Sequence, residues 1–411
     1  DIFKYKTIQQ LLTYSIGNVQ INIPKINSEQ NILSFAQERW WCIEKYEQGT
    51  NAYHIPFVCE LYEDTDSKAI KYALSQIVSR HEVLRSTIEQ SDDQGHGIQR
   101  VHTDALKVEE VNLSSGSDHD SLIREDINRP FDLSKEYPIR VKLYNIESGS
   151  KQEQRVLLLI NMHHIASDGW SIEIFQKELF AYYEAYLKKD KDFSLPALEI
   201  QYKDYALWQR SYLSGEVLEN QLNYWKDKLS GYQSLELPTD HARPSAIDYR
   251  GGHESFNLSK QTSQKLRSLS QRYGVTLNSV MLSSVNVLLS KYTGQEDIVI
   301  GSLNANRHHR QTEDLIGFFL NTQVNRTLLN SSQSFEELIH QVHQDQTDAQ
   351  LHQDLPCEKL VDVLSVERDT SRHPIFQVMF TVESFGQKTK TLEQQRSYFK
   401  PYQSQGVYQI E

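Results

Sequence analysis

Residues 156–186 constrain this chain more than any other stretch. Val156-Leu157-Leu158-Leu159-Ile160 is a continuous apolar run, and a polar segment, Asn161-Met162-His163-His164-Ile165-Ala166-Ser167-Asp168-Gly169-Trp170-Ser171, follows it. Ile174, Phe175, Leu179, Tyr183 and Tyr186 then recur at helical spacing. A run that is apolar on both faces predicts a buried strand, and the later spacing predicts an amphipathic helix. Two imidazoles, a carboxylate and a glycine therefore sit where a strand hands over to a helix. Adjacent residues at a strand end point to opposite faces. His163 and His164 cannot easily serve one centre, so one faces a cleft and the other packs inward. That counts against zinc, which needs three or four convergent ligands. Two readings stay open on the pattern alone. One is a helix start capped by Asp168 or Ser171, with the histidines as satisfied polar residues. The other is a histidine that handles a proton near neutral pH.

Composition narrows the class. At 411 residues the chain is long for one core and suggests two or three domain-sized units. Hydrophobic residues make up only 38%, but aromatics reach 10%, which suffices for packed cores and argues against disorder. Lys and Arg number 43 against 55 Asp and Glu, a formal charge of −12. An acidic chain without basic clusters is a poor partner for nucleic acid or an anionic membrane. The apolar runs are too short to cross a bilayer, and no signal-peptide pattern opens the chain. Cys42, Cys59 and Cys357 are widely spaced and odd in number. They read as reduced thiols, which places the protein in the cytoplasm. There is no Walker loop and no dinucleotide fingerprint.

The fold class expected is α+β. Residues 1–14 contain a capping box, Thr7 with Gln10, ahead of a short apolar helix. The chain lacks an initiator Met and reads as a piece of something larger. Residues 15–31, with Gly17, Pro24, Asn27 and Ser28, read as a linker. A first lobe is expected over 32–205 and a second over 206–411. Helices are expected over 68–79, 209–229, 259–273 and 276–292. Residues 140–144 alternate as a half-buried strand that pairs with the run from Arg155 as a hairpin. Further strands are expected over 297–301 and 378–382, and an apolar strand entered at Gly317. Gly251-Gly252-His253-Glu254-Ser255 is close to a phosphopantetheine attachment site, but Glu254 intrudes and Tyr249-Arg250 precedes it. Modification at Ser255 is not expected. His308-His309 lacks a following Asp-Gly and reads as a solvated loop.

The residues from Met162 to Ser171 resemble the His-His-x-x-x-Asp-Gly signature of condensation domains of non-ribosomal peptide synthetases. Other stretches resemble further motifs of that family, in the family's order. Ser34-Phe35-Ala36-Gln37-Glu38-Arg39-Trp40-Trp41 resembles the first, and Arg80-His81-Glu82-Val83-Leu84-Arg85-Ser86-Thr87 the second. Tyr202-Lys203-Asp204-Tyr205-Ala206-Leu207-Trp208 resembles the fourth, and Ile316-Gly317-Phe318-Phe319-Leu320-Asn321-Thr322-Gln323-Val324-Asn325-Arg326 the fifth. His352-Gln353-Asp354-Leu355-Pro356-Cys357-Glu358 and Arg368-Asp369-Thr370-Ser371-Arg372-His373-Pro374-Ile375 resemble the last two. Departures are mild: Cys357 stands where Phe is usual, His373 where Asn is frequent, and Trp41 follows Trp40. Residues 1–14 resemble the last helix of a peptidyl carrier domain. The chain stops at Glu411, earlier than such domains usually end.

The resemblance implies two chloramphenicol-acetyltransferase-like lobes in a V, with a tunnel between them and a crossover to the first lobe near 384–405. It implies an amide-forming acyltransferase that joins an upstream acyl or peptidyl thioester to the amine of a downstream aminoacyl thioester. Both substrates would arrive on phosphopantetheine arms of a donor and an acceptor carrier domain. The domain would bind no cofactor and no metal of its own. It would lie beside an adenylation domain, as a monomer within a larger polypeptide. The implied catalytic set is His164, His163, Asp168 and Gly169. His164 faces the cleft, as a proton acceptor or a hydrogen-bonding group. Asp168 is a structural carboxylate, with Arg326 chosen as its partner. Gly169 lets the backbone approach the reacting carbonyl. Arg80, Arg85 and Arg326 would brace the turn, and Trp170, Ser171, Asn321 and Gln323 would lie beside the tunnel. An epimerisation domain, a terminal-release acyltransferase and a non-catalytic recruiting platform are the alternatives, and platforms usually lack the intact second histidine.

Overall fold

The computed structural model describes residues 22–26, 31–46, 51–91, 96–114, 116–147, 154–245, 251–364, 369, 371–383 and 398–402. The carrier-like helix expected at 1–14, most of the linker, the turn at 92–95 and most of the polar stretch near 384–405 lie outside the described residues. In chain order the elements are α1 (Phe35–Tyr46), β1 (His54–Leu61), α2 (Ser67–Arg80), β2 (Ser86–Gln90), β3 (Gly97–Val101), β4 (Val108–Leu113), α3 (His119–Asn128), β5 (Ile139–Glu147) and β6 (Gln154–His163). There follow α4 (Gly169–Leu187), α5 (Tyr202–Tyr212), α6 (Gly215–Lys228), α7 (Lys260–Tyr273), α8 (Leu277–Thr293), β7 (Asp297–Asn304), β8 (Asn321–Leu328), α9 (Phe335–Gln350), α10 (Cys357–Val363) and β9 (Phe399–Pro401). The mixture of helices and strands is α+β, as expected.

Two compact units form. Among the described residues, one comprises Asn22–Ser211, Arg307–Phe319 and 398–402, and the other Tyr212–Asn306 and Leu320–Glu383. This corrects the expected division at 205/206. Helix α5 stays with the first unit almost to its end, and a short segment, 307–319, returns to that unit from the second. The single helix expected over 209–229 is two, because Ser214 is extended and Gly215 has φ +52 in the left-handed region. Most L residues are disfavoured there, so the chain turns at Ser214-Gly215, where α6 begins.

The first unit is built on a five-stranded sheet ordered β4-β5-β6-β1-β9. β4 and β5 are parallel, and the other pairs are antiparallel. The hairpin expected from Arg155 is the β5–β6 pair, and β9 brings the chain back against β1. In β6, Leu158, Ile160 and Met162 pack in one core with Ile174, Phe175 and Leu179 of α4. Leu157 and Leu159 pack in another with Ile123, Ile127 and Tyr144. Burying each such side chain contributes roughly 1.5–3 kcal/mol. Because the sheet is covered on both faces, β5 does not alternate as its sequence suggests: Arg140, Val141, Leu143 and Tyr144 are all buried. Helix α2 is capped by the Asp66 carboxylate, which accepts from the Lys68 and Ala69 amides.

In the second unit β7 and β8 form an antiparallel pair. Helices α7 and α8 end at Gly274 and Gly294, both left-handed. Strand β8 starts only at Asn321, later than expected. Residues 378–382 contribute one bridge, Met379 to Gly301, rather than a strand. No helix among the described residues is long and apolar enough to cross a membrane. Cys42, Cys59 and Cys357 are free thiols.

Candidate active site

The hand-over from β6 to α4 places the two imidazoles differently, as the alternation along a strand requires. The His163 side chain is 0% exposed. Its Nδ1 accepts from the Ile165 amide at 3.0 Å, so the hydrogen-bond network assigns its proton to Nε2. Nε2 lies 3.0 Å from Glu44 Oε1, which accepts it. With both nitrogens engaged inside the core, His163 is a structural residue. Its place in the expected catalytic set is corrected.

His164 opens a short 3₁₀ turn, His164–Ala166, and is half-buried. Its amide donates to the Tyr53 carbonyl at 2.9 Å. Its Nδ1 donates to the Ser167 carbonyl at 2.7 Å, which leaves the lone pair on Nε2. The ring lies parallel to Trp40, centroids 6.3 Å apart, and edge-on to Phe318 at 5.0 Å. Burial pulls its pKa below the usual histidine value, with the Ser167 carbonyl and Asp168 pulling the other way. The imidazole is therefore neutral at pH 7, with one nitrogen held and one basic nitrogen unclaimed by any described hydrogen bond.

Asp168 caps α4 and is 1% exposed. Its Oδ1 accepts from the Ser171 amide and hydroxyl, each at 2.8 Å, and from Arg307 Nη2 at 3.0 Å. Its Oδ2 accepts from the Phe319 amide at 3.0 Å. Asp168 is buried beside an arginine, but that partner is Arg307, not the expected Arg326. Arg307 also donates through Nη1 to the carbonyls of Thr312 and Leu315, at 2.6 and 2.7 Å, and its guanidinium lies 4.1 Å from the Phe319 ring. The loop read as solvated around His308-His309 thus begins with the buried cation that fastens 307–319 to the first unit. Arg326 instead forms a fork on Asp297, at 3.0 and 2.8 Å, in the second unit.

Ser171 is 0% exposed, and its hydroxyl bridges Asp168 Oδ1, Arg307 Nη2 and the backbone of Gly317. It is a structural link, which corrects its expected place beside a tunnel. Gly317 is required: a Cβ there would lie 2.0 Å from the Tyr202 ring. The Tyr202 hydroxyl donates to the Phe318 carbonyl at 2.5 Å. Gly169 is different. It is exposed at the first position of α4, and a Cβ on it would meet nothing within 4 Å. Nothing in the described fold demands glycine there.

Trp170 is half-buried and donates through Nε1 to the Glu313 carbonyl at 2.9 Å. Arg80 donates to Glu178 of α4 at 2.9 Å, so it braces the helix that follows the turn. Arg85 does not reach the turn; it binds the His102 carbonyl and lies 3.7 Å from Glu82. His81, which sequence reasoning passed over, accepts from the Ile316 amide through Nδ1 and donates through Nε2 to Glu178 at 2.9 Å. In the second unit, Asn321 donates to the carbonyls of Gln353 and Leu355 and accepts from the Cys357 amide. The Gln323 amide nitrogen is buried without a partner among the described residues. No group of His, Cys, Asp or Glu among the described residues is arranged to hold a metal ion.

Solved structures with related architecture define the class first. The X-domain from teicoplanin biosynthesis superposes with a TM-score of 0.75 at 27% identity, over 87% of this chain and 78% of that one. Holo-AB3403, a four-domain non-ribosomal peptide synthetase, superposes with a TM-score of 0.72 at 23% identity, over 92% of this chain and 28% of that one, which shows the fold alone. The fold is of the chloramphenicol-acetyltransferase-like kind. The sequence matches the Condensation domain family over residues 27–410, and the chain belongs to it. A component of the linear gramicidin synthase of Brevibacillus parabrevis is 41% identical over 398 residues, 93% of this chain and 8% of that protein. A component of the plipastatin synthase of Bacillus subtilis (strain 168) is 33% identical over 399 residues, 96% of this chain and 15% of that protein. The chain thus spans only a small part of the relatives it matches.

Proposed function

We propose that the chain forms a peptide bond between two carrier-tethered substrates. An upstream acyl or peptidyl thioester is the donor, and the amine of a downstream aminoacyl thioester is the acceptor. The observation that carries this reading is the state of His164: Nδ1 held by the Ser167 carbonyl, Nε2 basic and unclaimed. The acceptor nitrogen attacks the thioester carbonyl, a C–N bond forms and the C–S bond breaks. His164 Nε2 takes a proton from the attacking nitrogen and passes it to the departing thiolate, or steadies the intermediate by hydrogen bond. A thioester is already a reactive acyl donor, so holding the two reactants together supplies much of the acceleration. Asp168 and Arg307 keep the turn in place and take no proton. Gly169, with open space where a side chain would be, leaves its backbone free to approach the reacting carbonyl. Both substrates arrive on phosphopantetheine arms, so the partners are a donor and an acceptor carrier domain, with an adenylation domain in the same assembly.

A second reading, a platform that recruits another enzyme, is favoured by one observation. The X-domain from teicoplanin biosynthesis, solved in complex with OxyB, superposes with a TM-score of 0.77 at 26% identity. One assay separates the two. The chain is incubated with a donor carrier loaded with an acyl or aminoacyl thioester and an acceptor carrier loaded with an aminoacyl thioester. Dipeptidyl thioester on the acceptor carrier is the expected product. Epimerised donor without transfer, or no reaction across a panel of loaded carriers, refutes the condensation reading.

A further inference from the structure

Helix α1 turns one face to the β6–α4 hand-over. Gln37, Trp40 and Glu44 are spaced three and four residues apart, which places them on one side of a helix. All three reach the turn. Gln37 is 2% exposed, and its Nε2 donates to the Ile165 carbonyl at 3.2 Å. Trp40 lies parallel to the His164 ring at an interplanar angle of 9°. Glu44 is 8% exposed; its Oε1 accepts the His163 Nε2 proton, and its Oε2 has no partner among the described residues. His163 then offers Nδ1 to the Ile165 amide. Both backbone polar groups of Ile165, the residue after His164, are therefore held by α1, one directly and one through His163.

We infer that Glu44 is a positioning residue: it fixes the tautomer of His163, and through the Ile165 amide it fixes the turn that aims His164. The chemistry requires this order. A neutral imidazole has one N–H and one lone pair. Glu44 is an acceptor, so it holds the proton on Nε2 and leaves Nδ1 as the acceptor that the Ile165 amide needs. Without Glu44, the buried Nε2–H has no acceptor, and moving the proton to Nδ1 would set two donors against each other at Ile165. The turn would then relax, and His164 with it. A misplacement of about 1 Å at a reacting group can cost on the order of 10²-fold in rate. The inference rests on the reading of His164 as the reacting imidazole.

The test uses the chain with ¹⁵N-labelled histidine, long-range ¹H–¹⁵N spectra, and the two-carrier transfer assay. In the wild type, His163 is expected to carry its proton on Nε2 and His164 on Nδ1. A wild-type His163 with its proton on Nδ1 overturns the inference without any variant. Glu44→Gln keeps an acceptor oxygen, so its tautomers and kcat should stay close to those of the wild type. Glu44→Ala should move the His163 proton and lower kcat by about 10- to 100-fold, with KM for the loaded carriers little changed. Wild-type kcat in Glu44→Ala, or Gln and Ala variants that lose kcat equally, overturns it. A wild type that transfers nothing refutes the condensation reading instead, while the spectra still judge the Glu44–His163 relay.

Discussion

Each unit contains an aspartate–arginine pair, and the two are built differently. Asp168 and Arg307 have side chains 1% exposed and lie 139 residues apart in sequence. The pair joins the start of α4 to a segment that returns from the other unit's stretch of chain. Asp297 and Arg326 are 10% and 12% exposed and lie 29 residues apart, on the antiparallel strands β7 and β8. Arg326 also donates to the carbonyls of Lys228 and Ser230 at the end of α6. The first pair closes a long-range connection at the candidate site; the second ties a helix end to the β7–β8 strand pair within one unit. An arginine within a recognisable motif, Arg326, thus serves its own unit, while one outside any motif, Arg307, serves the site.

That difference sets the size of the expected effects. Asp168→Ala leaves the Arg307 guanidinium buried without its carboxylate, and breaking such a pair costs roughly 3–5 kcal/mol. Poor expression or a large fall in Tm is expected, and Arg307→Ala should match it. A double variant no worse than either single would sharpen the assignment, and fully additive losses in a double-mutant cycle would break it. Arg326→Ala removes charged hydrogen bonds from a more open site, worth about 1.5–3 kcal/mol. Its loss should be additive with that of Asp168→Ala. Strong coupling between residues 168 and 326 would restore the pairing expected from the motifs.

A smaller, pH-dependent effect distinguishes the histidine from both pairs. The folded His164 pKa lies below the usual value of about 6.5, so the unfolded chain takes up that proton first. The contribution of neutral His164 to stability is complete above about pH 6.5 and is lost as pH falls toward the folded pKa. Transfer, corrected for the fraction of acceptor amine that is unprotonated, should likewise hold through pH 7 and decline only below about pH 6.5. Urea midpoints and single-turnover rates across pH 5–8 measure both. A rate that still declines from pH 8 to pH 7 after correction for protonation of the acceptor amine would show a raised pKa and contradict the burial of this ring.

The strand–turn–helix is legible in the sequence because its signals are local. A run apolar on both faces, an Asp three residues before Ser171 and a helical repeat each carry their own reason. Opposite roles for His163 and His164 follow from strand alternation alone. The partner of Asp168 is not legible in that way. Nothing local marks Arg307 as buried, since His308 and Arg310 beside it are exposed. The available signal was indirect: the site needs a cation, and 307–319 supplies one only because the chain crosses back to the first unit. Glu44 is hidden for a similar reason. An acid on a helix reads as solvated until the partner strand is placed against it. The break between α5 and α6 was in reach, since Ser214-Gly215 is a turn signal inside the expected helix.

The central claim is that His164 performs the chemistry while Asp168 and Arg307 hold the frame. His164→Gln tests it most directly, by single-turnover transfer between two loaded carriers alongside a melting curve. The expected result is a Tm close to wild type, with a rate lower by a factor on the order of 10²–10⁴. A variant that transfers at the wild-type rate, or one that loses its rate only in proportion to a large fall in Tm, would contradict it.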